Sequence, residues 1–374
     1  MKTKKILAIG IVALVVCGVG LVKAQENLVK NEKIQTKGYN NNEIAKILDE
    51  HGMVQNPETG MFEVKTEGGI PEAGVSEAEL KEIIEESNIK NFREPVTGKI
   101  NYTKLANFTD PVTKIVGKLK ERSYNDSKIT EILEKHGMGW DPETGATWIG
   151  IGPTEEELKH LAPLYNPTDS ETYSKSLHQA NQVMEVKNDV YRGFSNYMKP
   201  GSCAVGDGET VQHVVTTHIG SGGYWTEAGV IKTSWNTNWR IFSYDNDEGT
   251  WDWHGTTGPT TYTEYYIYIT DEHGASGYRY DIFIGGHWER SGHVPNLEND
   301  VNQANEIWSD TGTWTADTTR AVHKYSGLIK SDGTGTSWNE DGPTEWWHAP
   351  DPCHVKEYHE MDGADAWKYE TWVE

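Results

Sequence analysis

Residues 221–232 read SGGYWTEAGVIK, and the second half of this segment alternates in the way that a β-strand does. In an extended strand Trp225 and Glu227 point to one face, whereas Ala228 and Val230 point to the other. Small apolar side chains such as the latter two suit the narrow core between two packed sheets. The segment therefore predicts a sandwich strand that presents a glutamate beside a tryptophan on its outward face.

A second segment, QANEIWSD at 303–310, repeats this arrangement. Glu306 and Trp308 share one face of the predicted strand, and Asn305 and Ile307 share the other. If the two strands are neighbours in one sheet, the carboxyl groups of the two segments meet on an aromatic-lined groove. Two such acids could share one proton, which suits general acid–base catalysis.

The composition around these segments predicts an all-β domain over residues 195–374. Thirteen of the fifteen tryptophans lie between Trp225 and Trp372, within short runs rich in β-branched and aromatic residues. Gly, Asp and Asn separate the runs, which are at least seven in number. Strands without intervening helices form antiparallel sheets, so we expect an antiparallel jelly-roll sandwich.

The N-terminal half contains an internal repeat. YNNNEIAKILDEHGMVQNPETG begins at Tyr39, and YNDSKITEILEKHGMGWDPETG begins at Tyr124. The apolar residues have helical spacing, a glycine ends each helix, and Pro-Glu-Thr-Gly predicts a turn. We expect a small, mainly helical repeat region over 25–164, with copies near 39–84 and 124–162.

A capping box begins a second helix in each copy, Ser76 with Glu79 and Thr154 with Glu157. Residues 165–194 are more polar and predict a linker that contains one helix.

Residues 1–24 have the features of an export signal: a basic start, an apolar run and a small residue at Ala24. We therefore expect a secreted or extracytoplasmic protein with no membrane segment beyond this signal. Loss of its four lysines would change the net charge from −23 to −27, since no acid is lost with them. Such a negative charge argues against nucleic acid as a partner. The remaining cysteines, Cys203 and Cys353, predict a disulfide in an oxidising compartment, with two free thiols as the alternative.

The Trp-Thr-Glu-Ala-Gly-Val segment at 225–230, the strand RIFSYDND at 240–247 and Ala-Asn-Glu-Ile-Trp at 304–308 resemble the glutamic peptidases. The first is similar to the Ile-Glu-Ala-Gly-Trp motif of the neprosin branch and to the Gln-Thr-Gly-Val of the eqolisin branch. The last is similar to the Ala-Glu-Trp segment of the eqolisins. The resemblance covers about 130 residues of the C-terminal half.

This resemblance implies a secreted jelly-roll endopeptidase that acts on polypeptides in acid through a pair of glutamates. Glu306 would be the general base on the attacking water, and Glu227 would stabilise the oxyanion or protonate the leaving amine. The supporting substrate-binding residues would be Trp225, Tyr244, Asn305 and Trp308. The resemblance also implies a propeptide, and the repeat region is the candidate for it.

The main alternative is a non-catalytic jelly roll that binds a surface glycan. Aromatic rings suit contacts with sugars, and the candidates are Tyr265, Tyr266, Tyr268, Tyr278, Tyr280, Trp288, Trp346 and Trp347. A glycoside hydrolase also needs two carboxylates, but Trp308 stands where its usual E-x-D-x-x-E pattern requires an aspartate. A structural protein of the cell surface is the third alternative.

No cofactor or metal site is predicted from the motifs. The acidic loop Asp245-Asn246-Asp247-Glu248 could hold Ca²⁺ through its oxygen atoms, although a solvated turn is the ordinary role of such a loop.

Overall fold

The structure is a computed structural model. It describes residues 48–49, 52–56, 59–65, 75–95, 100–152, 178–186, 191–219, 224–234, 238–246, 249–274, 277–294, 300–309, 313–330, 334–337, 344–348, 352–358 and 368–374. Among these residues, none of the helices combines the length and the apolar character needed to cross a membrane.

Two large antiparallel sheets form a jelly-roll sandwich, as the sequence predicts. Strands are numbered along the chain. The seven-stranded sheet contains, in spatial order, β11 (Thr250–Thr257), β10 (Trp239–Asp245), β9 (Tyr224–Thr233), β8 (Glu209–Ile219), β15 (Asp300–Ser309), β5 (His178–Val186) and β19 (Thr344–His348).

The second sheet has ten strands and forms the other layer. Its main path is β20 (Cys353–Tyr358), β21 (Lys368–Val373), β17 (Ala321–Lys330), β6 (Tyr191–Lys199), β12 (Thr263–Gly274), β13 (Gly277–Ile284), β14 (His287–Val294), β4 (Thr147–Ile149) and β3 (Met138–Trp140), and β18 (Gly335–Ser337) pairs with β17. Two small ladders complete the β-structure: β1 (Met53–Gln55) with β2 (Phe62–Val64), and β7 (Cys203–Ala204) with β16 (Asp317–Thr318).

The inner faces of the two sheets enclose an apolar core. Buried residues from both layers contribute to it, among them Phe194, Met198, Val211, Ala228, Val230, Ile241, Ile267, Ile282 and Ile307. Burial of this aliphatic and aromatic surface is the main force that holds the two layers together.

A chain of hydrogen bonds crosses this core. Thr371 Oγ1 lies 2.9 Å from His213 Nδ1 and 3.1 Å from His323 Nε2. Asn196 Nδ2 bonds both His323 Nδ1 at 2.9 Å and Gln303 Oε1 at 2.5 Å. Burial lowers the pKa of His213 to about 3, and burial together with the neighbouring His213 lowers the pKa of His323 well below its usual value. Both imidazoles are therefore neutral parts of the core at physiological pH.

The N-terminal helices are α1 (Glu77–Glu86), α2 (Tyr102–Ala106), α3 (Pro111–Glu121) and α4 (Asp126–Glu134), with a short 3-10 helix at Ile89–Phe92. Ser76 and Glu79 form the expected capping box at the start of α1. Asp110 caps α3 through a 2.7 Å bond from the Thr113 amide, and Pro111 stands in its first turn, where no backbone N–H is needed.

These helices pack on the outer face of the ten-stranded sheet. Leu105, Val112, Ile115 and Leu119 belong to one buried cluster with sheet residues, and the sheet side chains are Tyr266, Tyr268, Phe283, Trp288 and Ile329. Strand β4 also pairs directly with β14, through Trp148 opposite Arg290. The N-terminal region thus shares both a core and a sheet with the sandwich.

The repeat forms the same hairpin twice. Gly52 and Gly137 have φ values of 64° and 65°, and each lies just before a hairpin, β1–β2 and β3–β4 respectively. A left-handed residue is the usual end of a helix, and glycine adopts it without strain. Each of the two segments thus has a left-handed glycine followed by a hairpin; the predicted helix of the first copy and the predicted cap at Thr154 lie largely outside the described residues.

Two sequence predictions need correction. Residues 178–186 form strand β5, not the predicted linker helix, because β15 and β19 offer hydrogen-bonding edges on both of its sides. The sandwich thus begins before residue 195. Cys203 and Cys353 are free thiols, although both pack against the same core. Burial raises the pKa of the Cys203 thiol to about 12.

Candidate functional site

Glu227 lies on β9, near the middle of the seven-stranded sheet. The ladder places it opposite Thr216 of β8 on one side and Tyr244 of β10 on the other. Directly paired residues of antiparallel strands share a face. Glu227 therefore points away from the inter-sheet core, in agreement with strand parity, yet its side chain is only 4% exposed.

The surroundings of Glu227 are aromatic. A buried cluster covers this outer face, and its members are Val214, Ile231, Phe242, Tyr244, Trp251, Trp253, Ala304 and Trp308, with Trp225 partly buried against them. The Trp225 and Tyr244 rings lie 6.3 Å apart, and the Tyr244 and Trp251 rings 4.8 Å apart. Burial, and to a smaller extent the negative charge of Glu227, raises the pKa of Tyr244. The phenol thus stays protonated, and its hydroxyl group is hydrogen-bonded to Asn246.

Glu306 lies on the same face, on β15. It is half-buried, and its Oε2 accepts a hydrogen bond of 2.9 Å from Gln212 Nε2, the residue opposite it on β8. Trp308 follows on the same face and is buried, so the predicted Glu–Trp pattern of this strand is present.

The two glutamates are nevertheless far apart along the strands. Glu227 is opposite Thr216 and Glu306 is opposite Gln212, four residues further along β8. Two strand spacings of about 4.8 Å and four residues of about 3.3 Å put their Cα atoms roughly 16 Å apart. The structure therefore does not bring the predicted pair together at one water molecule.

The residue of β15 that lies level with Glu227 is Asn302. It is opposite Thr216, so only strand β8 separates it from Glu227, and the two Cα atoms are about 10 Å apart. Asn302 is 3% exposed, so its amide group lies in the buried part of this face. Asn302 is a candidate that sequence reasoning missed, because only the inter-strand register identifies it.

The other predicted binding residues divide between the two faces. Trp225, Tyr244 and Trp308 lie on the Glu227 face. Asn305 lies on the opposite face, fully buried, where its Nδ2 donates to the Trp372 carbonyl at 2.7 Å. The inclusion of Asn305 in the site was wrong, since adjacent residues of a strand point to opposite faces.

A second polar cluster lies inside the sandwich. Ser243 Oγ is 2.7 Å from His254 Nε2, and His254 Nδ1 is 2.8 Å from the Ile149 carbonyl and 3.1 Å from Glu289 Oε2. The order is that of a serine–histidine–acid triad, but all three side chains are buried and one ring nitrogen bonds the backbone of β4. Burial lowers the pKa of His254 to about 3 and raises that of Glu289 well above its usual value. This cluster is thus a neutral connection between the sandwich and the N-terminal region.

Metal and glycan candidates are also placed by the structure. Within the described ranges, no three His, Cys, Asp or Glu side chains are grouped as metal ligands. Asp245, the first residue of the acidic loop, points inward and accepts a hydrogen bond from Tyr280; Asp247 and Glu248 lie outside the described residues.

Five of the aromatic residues proposed for glycan binding are buried, namely Tyr265, Tyr266, Tyr268, Tyr280 and Trp288.

Neither a protein-family model nor a curated protein matches the chain. Among solved structures, the chain is similar to a scytalido-glutamic peptidase bound to a transition-state analogue, at 10% identity and a TM-score of 0.37, over 53% of this chain and 99% of that one. It is similar to SCP-B, a member of the eqolisin family, at 10% identity and a TM-score of 0.35 over the same shares.

A Bacillus licheniformis β-glucanase matches at 12% identity and a TM-score of 0.22, over 50% of this chain and 67% of that one. These distant similarities in fold include both peptidases and glycoside hydrolases and leave the choice between them open.

Proposed function

We propose that the chain is an exported hydrolase that cleaves polypeptides, with Glu227 and Asn302 as the residues that carry the reaction. The supporting observation is a buried carboxyl group and a buried amide at the same level of one sheet face, with a single strand between them. Glu306 is not part of this pair, because it lies four residues away along the ladder.

The proposed reaction uses the two groups in different roles. A water held between them attacks the carbonyl carbon of the substrate, and Glu227 accepts the proton that this water loses. The carbonyl oxygen becomes an oxyanion, which the Asn302 Nδ2–H group stabilises by a hydrogen bond. When the C–N bond breaks, Glu227 returns the proton to the leaving amine, so the carboxylate is regenerated and no other reactant is consumed.

The aromatic cluster supports this chemistry by excluding bulk water. Hydrogen bonds to developing charge are worth more in a dry site than in solution. Tyr244, which is opposite Glu227 in the ladder, contributes its ring to this cover, and its hydroxyl group is hydrogen-bonded to Asn246.

An amide partner favours peptide cleavage over glycoside cleavage. Glycoside hydrolases need two carboxyl groups about 5–5.5 Å apart for retention or about 6.5–9.5 Å apart for inversion. The next acid level with Glu227 is Glu185 of β5, opposite Asn302. It is three strand spacings from Glu227, about 14 Å between Cα atoms, whereas Asn302 is only two spacings away.

The test is cleavage of denatured casein by the purified chain between pH 2 and pH 7. We expect Glu227→Gln to lower kcat by about 10²- to 10⁴-fold, the usual contribution of a general base. Asn302→Ala should lower it by about 10²-fold with little change in KM, as the loss of an oxyanion donor does. Glu306→Gln is the matched control and should retain activity within about threefold.

Undiminished cleavage by Glu227→Gln, or a loss in Glu306→Gln as large as in Glu227→Gln, would contradict the assignment. Release of reducing ends from barley β-glucan without any cleavage of casein would point to a glycoside hydrolase instead.

A further inference from the structure

The N-terminal region, meaning the described residues between 48 and 152, binds the edges of both sheets at one side of the sandwich. Strand β11 is the last strand of the seven-stranded sheet, and residues 60–61 and 151 bridge to it. Strand β4 pairs with β14 of the other sheet. The two edges are close, since Arg290 of β14 bonds Asp252 of β11. Unpaired strand edges promote aggregation, so the N-terminal region protects both edges at once.

The contacts with β11 include backbone hydrogen bonds. Ile151 donates to the Trp253 carbonyl at 3.1 Å, and Trp253 donates to the Ile151 carbonyl at 3.0 Å. The Thr256 amide donates to the Gly60 carbonyl at 3.0 Å, and Gln55 Nε2 donates to Thr256 Oγ1 at 3.0 Å. Strand β11 therefore has backbone partners on both of its edges, as an interior strand of a sheet has.

Met61 belongs to the apolar core between the two sheets, although it comes from the N-terminal region. It is 1% exposed and lies in the same buried cluster as Ile241 and Ile284, which come from one sheet each. Removal of a buried methionine side chain leaves a cavity and lowers stability. The sandwich core is therefore complete only when the N-terminal region is in place.

Glycines on both sides of this contact let the two backbones approach each other. Gly60 has a φ of 74°, and a Cβ there would lie 2.0 Å from the Thr256 carbonyl oxygen. A Cβ at Gly255 would lie 2.2 Å from the Gly60 carbonyl oxygen. Any other residue at either position would push the N-terminal region away from β11. The sequences of both regions thus fit a close and specific contact.

Buried polar groups of the sandwich also find partners in the N-terminal region. Asp110, which caps α3 and is 1% exposed, accepts a hydrogen bond of 3.2 Å from Arg279 Nη2. His254 Nδ1 lies 2.8 Å from the Ile149 carbonyl oxygen. Without the N-terminal region, the buried Arg279 and His254 would each lose a partner, which is costly for groups shielded from water.

We propose that the N-terminal region is a permanent part of the working protein and not a propeptide that must be removed. It supplies a core side chain, edge pairing and polar partners, all of which the sandwich would lose on its removal. The described helices pack on the ten-stranded sheet, whereas Glu227 lies on the outer face of the seven-stranded sheet. The proposed hydrolase should therefore act with the region in place; this consequence rests on the proposed function, and the permanence of the region does not.

The test uses the full chain with a thrombin site inserted between Thr168 and Asp169, which lie between the two regions in sequence. A denaturing gel confirms that the chain has been cut. We expect the two fragments to elute together in size-exclusion chromatography at micromolar concentration. The Trp253 and Thr256 amides donate to the N-terminal region, so their protection from hydrogen exchange should stay within about threefold of that in the uncut chain.

Gly60→Ala and Gly249→Ala form a matched pair of variants for this test. Both glycines have a positive φ, 74° and 63°, so alanine is strained at both positions. A Cβ at Gly60 meets β11, whereas a Cβ at Gly249 has no atom of another described residue within 4 Å. In the cut protein, Gly60→Ala should raise exchange at Trp253 and Thr256 by about tenfold, and Gly249→Ala should leave it nearly unchanged.

Separation of the fragments with a folded sandwich left behind would overturn the proposal, as would an equal rise of exchange in the two variants. A tenfold or larger rise of casein cleavage on cutting would also overturn it, because the region would then be a removable inhibitor. If neither the cut nor the uncut chain cleaves casein, the proposed function fails, while elution and exchange still decide whether the N-terminal region is permanent.

Discussion

The two sheets of the sandwich use their outer faces in different ways. On the ten-stranded sheet, Phe283 and Trp288 are buried beneath helices, and Trp288 Nε1 donates to Ser291 at 2.8 Å. On the seven-stranded sheet, the buried face carries Glu227 and Asn302 beside aromatic rings that come from the strands of the sheet itself.

The two faces thus differ in what covers them: helices of the N-terminal region on the ten-stranded sheet, and rings of its own strands on the seven-stranded sheet. Every ring buried beneath the helical cover adds to stability, so the cover and the sheet depend on each other.

The largest expected effect on stability comes from the covered face. Phe283→Ala should lower the free energy of unfolding by about 3–5 kcal/mol, because the ring packs against Phe92, Phe108 and Tyr266 and its removal leaves a cavity. Urea denaturation followed by tryptophan fluorescence measures this loss. Tyr197→Ala, on the same sheet but exposed, should cost less than about 1 kcal/mol; equal losses in the two variants would mean that the helical cover adds little.

A smaller effect is expected from the polar chain between the sheets. With a pKa of about 3 in the fold, His213 is protonated only in the unfolded state between that pH and about 6.5, so acid favours unfolding. From pH 6.5 to pH 4 the loss is about 3 kcal/mol for this residue. Denaturation curves of the unaltered chain and of His213→Gln should therefore converge as pH falls, and parallel curves would contradict the assignment.

The smallest effect on stability is expected at the partly exposed boundary between the helical region and the ten-stranded sheet. Arg93 and Glu264 form a partly exposed ion pair, so Arg93→Ala should cost about 1 kcal/mol or less, and less in high salt. Thermal unfolding at two salt concentrations measures it. A loss as large as that of Phe283→Ala would show that charge, and not the apolar contact, joins the two regions.

Strand parity alone predicted much of the local structure. It placed Glu227 and Trp225 away from Ala228 and Val230, and the ladders agree, because a period of two needs no knowledge of neighbouring strands. The same parity placed Asn305 on the face of the sheet away from Glu306, and the structure agrees.

The register between strands could not be predicted in this way. The positions of Glu227 and Glu306 along the strand direction depend on β8. This strand separates β9 from β15, and its pairing with both fixes an offset of four residues between the two glutamates. Residues 178–186 show the same limitation, since Ala180 and Val183 have a spacing that also fits a helix. Hydrogen bonds to β15 and β19 decide for a strand, and tertiary contacts of this kind override local preference.

The pairing of β4 with β14 has a consequence for how the chain reaches its native state. Thr147 and Trp148 are synthesised about 140 residues before their partners Ser291 and Arg290, so the earliest part of the protein to emerge cannot finish folding until the later part exists. Contacts between such distant positions slow folding and leave apolar surface exposed in the meantime.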